Sequence, residues 1–331
     1  MLNQNKLLLI SLMIMSTLIS VTSHSWMGIW MGLEINLMSF IPLITKSSNL
    51  PMSEAMISYF IIQTISSISL LFFIIMSKIT LNTHNLFSLI INSALLMKMG
   101  AAPFHFWFPK VMSGLTWMNC FILSTWQKIT PIIAIYMCIN KIWILMAIIM
   151  SALIGAIGGI NQSSIRVILS FSSISHLSWM LMSLMISMNM WMLYFTIYFF
   201  LNYLIIIFLN LNNLFYLNQL YNSKISLINF LIFNINLLSL GGIPPFLGFL
   251  PKWLIIQFMS LHHMNIMIIF MMTMTLITLS YYMNILLSAL MLNYSKTKWF
   301  KIYPMPLISS SMIFLFTSIS MFSLIFISLM N

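Results

Sequence analysis

Apolar residues run along this chain in blocks long enough to cross a bilayer, which takes about 20 residues as an α-helix, and short polar connections separate the blocks. Reading the hydropathy and its breaks predicts eleven transmembrane helices. They fall at roughly 7–23, 26–45, 55–77, 86–109, 119–139, 142–160, 166–186, 189–211, 226–259, 265–291 and 307–329. The fourth and ninth are interrupted by glycine and proline. No connection is long enough to fold as a soluble domain. The expected fold is an all-α polytopic membrane protein.

The two interrupted spans share a pattern. Gly100, Pro103, Phe104, Pro109 and Lys110 are spaced as Gly242, Pro245, Phe246, Pro251 and Lys252, an offset of 142 residues. An offset of five spans is odd, so the two copies are expected to cross the membrane in opposite directions. Matching helices broken by Gly and Pro in two halves point to an inverted repeat. The expected division is a first five-helix repeat at 1–140, a second at 141–292, and a loop with a C-terminal transmembrane helix at 293–331. Proline removes an N–H and frees the carbonyl one turn earlier. In a membrane, such groups must face protein or water. The breaks therefore predict local polarity beside Lys98 and Lys252, and Pro131 does the same for the carbonyl of Gln127.

Composition narrows the function. Of 331 residues, 61% are hydrophobic and 5% charged, against about 25% charged in a soluble domain. A soluble enzyme is excluded. The net charge of +11 comes from cations spread singly through apolar sequence, without the basic patch that nucleic acid needs. Cys120 and Cys138 are too few for a disulfide scaffold or a cysteine-ligated cluster. With no glycine-rich phosphate loop and no carboxylate cluster, the chain has no visible means of holding a nucleotide, flavin or metal. The first apolar run leads into more membrane sequence, unlike a cleavable signal. With the N-terminus on side one, Lys6, Lys46, Lys110, Arg166, Lys224, Lys296, Lys298 and Lys301 share that side. Lys78 and Lys141 lie opposite, a strong positive-inside bias.

Three lysines and one carboxylate are left within spans: Lys98, Lys128, Lys252 and Glu34. Each costs roughly 2.5–3.5 kcal/mol at the bilayer centre unless paired, hydrated or neutral. Glu34 reads either as half of a structural ion pair or as a proton carrier tuned by a lysine. A lysine can switch between charged and neutral as its partner moves, which arginine cannot. Lys128 is the most central of the three, while Lys98 and Lys252 could instead reach water at the breaks. His105 follows the first break among aromatics, and His176 lies mid-span among serines; both are candidate relays. The 142-residue offset carries Glu34 onto His176. Arg166 reads as a boundary cation, Glu54 as helix-end charge, and His24, His84, His262 and His263 as connection residues.

At these residues a resemblance is visible. The strings W-M-G-L-E-I-N-L (30–37), K-M-G-A-A-P-F-H-F-W-F-P (98–109), T-W-Q-K-I-T-P (125–131), F-S-S-I-S-H-L-S-W-M (171–180) and L-G-G-I-P-P-F-L-G-F-L-P-K-W (240–253) resemble the NADH–ubiquinone oxidoreductase chain 2 family of animal mitochondria, of insect type. The resemblance covers essentially the whole chain. It implies an antiporter-like membrane-arm subunit of respiratory complex I, which couples NADH-to-ubiquinone electron transfer to proton translocation. The family's glutamate falls on Glu34 and its channel lysines on Lys98, Lys128 and Lys252. It implies no redox chemistry in this chain, with NAD, FMN, iron–sulfur clusters and ubiquinone on other subunits. Partners would be other membrane-arm subunits, including neighbouring antiporter-like ones, and lipids. Side one would be the mitochondrial matrix, placing the N-terminus there and the C-terminus on the intermembrane side of the inner membrane. Two rivals remain. A free-standing cation/proton antiporter would need a cation site, and there is no Asp. A structural spacer would have no use for buried lysines beside broken helices.

Overall fold

In the computed structural model, residues 4–44, 50–79, 84–222 and 227–294 are described. They are helical wherever they are regular, as an apolar surround demands of a backbone that must satisfy its own polar groups. The one β feature among them is an isolated antiparallel bridge between Ser164 and Tyr216. The helices are α1 (Gln4–Thr22), α2 (Trp26–Ile44), α3 (Leu50–Ile79), α4 (His84–Met99), α5 (Trp107–Gly114), α6 (Trp117–Ser124), α7 (Trp126–Met137), α8 (Lys141–Gly158), α9 (Ile165–Ile186), α10 (Met188–Leu211), α11 (Leu217–Asn222), α12 (Leu227–Gly241), α13 (Phe249–Leu261) and α14 (Asn265–Tyr294).

Eight spans are each long and apolar enough to cross a membrane, and the protein is a polytopic membrane protein. Ten of the eleven expected spans appear. The eleventh, 307–329, lies outside the described residues. The fourth span is α4 plus α5 and the ninth is α12 plus α13, both interrupted as expected. The fifth is interrupted too. It is α6 plus α7, parted at Thr125, whose φ of −119° and ψ of −71° depart from regular helix values. Thr125 is neither Gly nor Pro, so the sequence carried no breaker there.

The chain divides into two compact units, Met1–Ser151 and Ala152–Asn331, with the boundary inside α8. In the first unit α7 packs on α1, α2 and α4, and α3 packs on α2, α4 and α5. The α1–α2 seam is close because small residues face each other. A Cβ on Gly32 would stand 2.7 Å from the Ser20 Cβ and 2.8 Å from the Ser16 carbonyl. This is the small-residue packing that lets membrane helices approach, and it seats the helix that carries Glu34. In the second unit α9, α10, α12, α13 and α14 pack on one another, and α9 is the most enclosed of the eight long spans among the described residues.

Candidate functional site

The two breaks are built alike, residue for residue. α4 stops at Met99 and α5 begins at Trp107. α12 stops at Gly241 and α13 begins at Phe249. Each first half ends on a left-handed glycine, Gly100 at φ 71° and Gly242 at φ 85°, where a side chain would be strained. Each is closed by the same pair of backbone bonds. Gly100 N–H donates to the Met97 carbonyl (3.2 Å) and Ala101 N–H to Leu96 (3.1 Å). Gly242 N–H donates to Ser239 (3.1 Å) and Ile243 N–H to Leu238 (3.5 Å). Both are Schellman closures, so the doubled sequence pattern encodes a doubled backbone conformation.

Side chains add different donors to the helix-end carbonyls of the two breaks. In the first, the Trp107 indole N–H donates to Met97 O (3.1 Å) and the Gln63 amide to Lys98 O (3.1 Å). In the second, the Lys252 ammonium reaches back across the break and donates to Gly241 O at 2.9 Å. The pattern counterpart of Lys252 is Lys110, which is exposed. Sequence alignment of the two copies thus pairs a buried lysine with a surface one.

All three in-span lysines are enclosed: Lys98 is 5% exposed, Lys128 1% and Lys252 5%. Lys98 occupies the last turn of α4. Glu34, half-buried on α2, is the charged group that acts on it, without a direct ion pair between the two. Lys128 lies in the first turn of α7, just past the Thr125 break, with its ammonium 5.3 Å from the centroid of the Phe108 ring, a cation–π approach. Phe108 belongs to α5, so the helix beyond the first break supplies the face on which Lys128 rests.

His105 is buried within the first break. Its Nδ1 lies 3.3 Å from the Pro103 carbonyl and its ring packs on Phe106, centroids 4.1 Å apart. Those contacts are local to the break and fix the turn. His176, buried on α9, has Nδ1 2.8 Å from the Tyr194 hydroxyl of α10. The first unit therefore holds Glu34, Lys98, His105 and Lys128, and the second holds Lys252 and His176. Of the weaker candidates, Glu54, His24, His262 and His263 are exposed. Arg166 stands in the first turn of α9 with its guanidinium 4.6 Å from the Phe215 ring centroid.

Sequence reasoning missed the neutral partners. Asn36 and Gln127, one turn or less from Glu34 and Lys128, bond each other through their side-chain amides. Gln63, Trp107 and Tyr194 hold the breaks and His176. Each is a hydrogen-bonding side chain inside an apolar span, and that alone predicts a partner.

Comparison with known proteins fits this geometry. The family described as "NADH:quinone oxidoreductase/Mrp antiporter, TM" matches residues 23–278. The chain is 46% identical over 336 residues to NADH-ubiquinone oxidoreductase chain 2 of Anopheles gambiae, covering 98% of both chains. It is 45% identical over 304 residues to the same protein of Locusta migratoria, covering 90% of this chain and 89% of that one. The chain belongs to the NADH-ubiquinone oxidoreductase chain 2 family. Among solved structures, a chain of respiratory complex I from Thermus thermophilus with bound aureothin matches with a TM-score of 0.84 at 18% identity, over 96% of this chain and 78% of that one. A chain of the Mrp complex from Dietzia sp. DQ12-45-1b matches with a TM-score of 0.70 at 16% identity, over 89% and 61%. The chain 2 fold is thus shared with antiporter complexes, and the broken helices with their lysines lie inside the segment that the family covers.

Proposed function

We propose that this chain moves protons through respiratory complex I along the enclosed groups Glu34, Lys98, Lys128 and Lys252, with His105 and His176 as relays. The chain is a membrane-arm subunit of that complex, in company with other membrane-arm subunits. Its place would be the mitochondrial inner membrane, with the N-terminus in the matrix and the C-terminus on the intermembrane side. NAD, FMN, iron–sulfur clusters and ubiquinone would be held by other subunits, and this chain would hold none.

The observation that carries the relay is the enclosure of three lysines at helix breaks. Their insertion costs on the order of 10 kcal/mol together if nothing compensates. A spacer has no need of them. Each lysine has a different surround: the end of α4 in the field of Glu34, an aromatic face, and a backbone carbonyl. A charge arriving at one site changes the proton affinity of the next, a coupled titration.

Lys128→Met in the assembled complex tests the reading. Pumping per electron and coupled NADH–quinone turnover are expected to fall while assembly persists. Unchanged pumping in an assembled variant overturns it. The antiporter reading is favoured by the Mrp likeness alone, and a Na⁺ flux driven by a pH gradient across vesicles holding the purified chain would support it.

A further inference from the structure

The second unit contains more buried hydroxyl and amide groups than its helices can satisfy. Tyr194 and Tyr198 on α10 and Tyr281 and Tyr282 on α14 are all buried. The Tyr281 and Tyr282 hydroxyls have each other, Ser172 and Ser175 as polar neighbours, whereas neither side-chain amide atom of Asn234 or of Asn236 on α12 has a hydrogen-bond partner among the described residues. Buried polar groups are nearly always paired, with protein or with water. Four unmet amide atoms on a helix that packs on α10 and α14 mark a place where ordered water belongs.

The position of this cluster connects two groups otherwise separate in the sequence. Lys252 donates to the Gly241 carbonyl. Gly241 itself lies against Tyr282, with 3.6 Å between a Cβ built on the glycine and the tyrosine ring. Tyr282 has Ser172 and Tyr281 as polar neighbours and acts electrostatically on Tyr194. Tyr194 bonds His176 at 2.8 Å, and the His176 ring also stands 4.9 Å from that of Tyr198. The hydroxyls of Ser172 and Ser175 donate to carbonyls one turn back in α9, at 2.9 and 2.7 Å. Their hydrogens are used, which leaves their oxygens as acceptors.

We propose that Tyr282 is a proton-transfer residue joining Lys252 to His176, through Tyr194 and water held by the α12 asparagines. This rests on the relay reading given above. The step balances without an oxidant. A proton leaving the Lys252 ammonium passes through water to the Tyr282 oxygen as that hydroxyl releases its own proton onward. Tyr194 repeats the exchange and delivers a proton to the imidazole of His176. The lysine ends neutral, the histidine cationic, and both tyrosines unchanged. Phenylalanine keeps the packing of such a site and removes only the exchanging hydroxyl.

The test compares Lys252→Met, Tyr282→Phe and Tyr203→Phe in the assembled complex, by pumping per electron pair and by coupled turnover. NADH oxidation with an artificial acceptor serves as the measure of intact electron entry. Tyr203 is 40% exposed and serves as the control. The expected result is a fall of about tenfold or more for Lys252→Met and Tyr282→Phe, with Tyr203→Phe and the artificial-acceptor rate unchanged. If Lys252→Met fails to pump and Tyr282→Phe pumps normally, the tyrosine link is wrong and the relay reading stands. If Lys252→Met pumps normally, the relay reading falls and takes this link with it. Should Tyr282→Phe not assemble, Ser172→Ala removes the facing acceptor and is read by the same outcomes.

Discussion

Asn36 and Gln127 exchange two hydrogen bonds: the Asn36 amide donates to Gln127 Oε1 at 3.0 Å, and the Gln127 amide donates back to Asn36 Oδ1 at 3.1 Å. Gln127 Nε2 also approaches Met13 Sδ at 3.7 Å. The pair ties α2 to α7, two residues from Glu34 on one side and next to Lys128 on the other. A reciprocal amide pair fixes register and carries no charge, so it holds the charged neighbours in place without adding to their field.

Breaking one half of that pair leaves the other buried amide unmet, a cost of about 1–3 kcal/mol. Asn36→Ala and Gln127→Ala are each expected to lower the thermal stability of the assembled complex. Asn36→Leu with Gln127→Leu is expected to cost less than the sum of the single changes, since neither amide is then orphaned. Additive losses, read by thermal inactivation, would refute the pairing.

Glu34→Gln keeps the shape of the side chain and removes the charge that acts on Lys98. Assembly is expected to be normal, coupled turnover to fall several-fold, and NADH oxidation with an artificial acceptor to be unaffected. Equal loss in both assays would place the defect in electron entry instead.

The two left-handed glycines separate backbone strain from function. Alanine at either costs about 1 kcal/mol from its positive φ. At Gly100 the new Cβ meets the Phe108 side chain at 3.0 Å, and at Gly242 it meets the Lys252 ammonium at 2.8 Å. Gly242→Ala is therefore expected to impair pumping more than Gly100→Ala at similar loss of stability. Measuring both quantities on both variants decides it.

Trp107→Phe removes the second of the two donors on Met97 O, the first being Gly100 N–H. A stability loss of about 1 kcal/mol is expected, with pumping per electron preserved. A selective loss of pumping would give the indole a role beyond holding the break.

The sequence read most clearly where its chemistry was extreme. Gly100–Pro103 and Gly242–Pro245 announced two breaks because no other residues end a helix so plainly inside apolar sequence. Glu34 and the three lysines stood out because charge is rare at such depth. The Thr125 break was illegible, since threonine is an ordinary helix residue. The short helix α11 was likewise hidden, being one turn and a half of unremarkable composition. The amide pair and Tyr194 were visible as polar letters, but partners 91 and 18 residues apart need coordinates to be matched.

A repeated helix break brings a repeated set of bare carbonyls, and each copy has recruited its own fastener. The indole of Trp107 and the amide of Gln63 do not ionise near neutral pH, so the first joint keeps its donors. The second is fastened by an ammonium whose hydrogens are exchangeable. A charge-assisted bond is roughly twice as strong as a neutral one, so a proton leaving Lys252 would slacken the end of α12 and a proton arriving would draw it tight again. The stiffness of that joint becomes a record of whether the site is loaded, written in backbone rather than in charge.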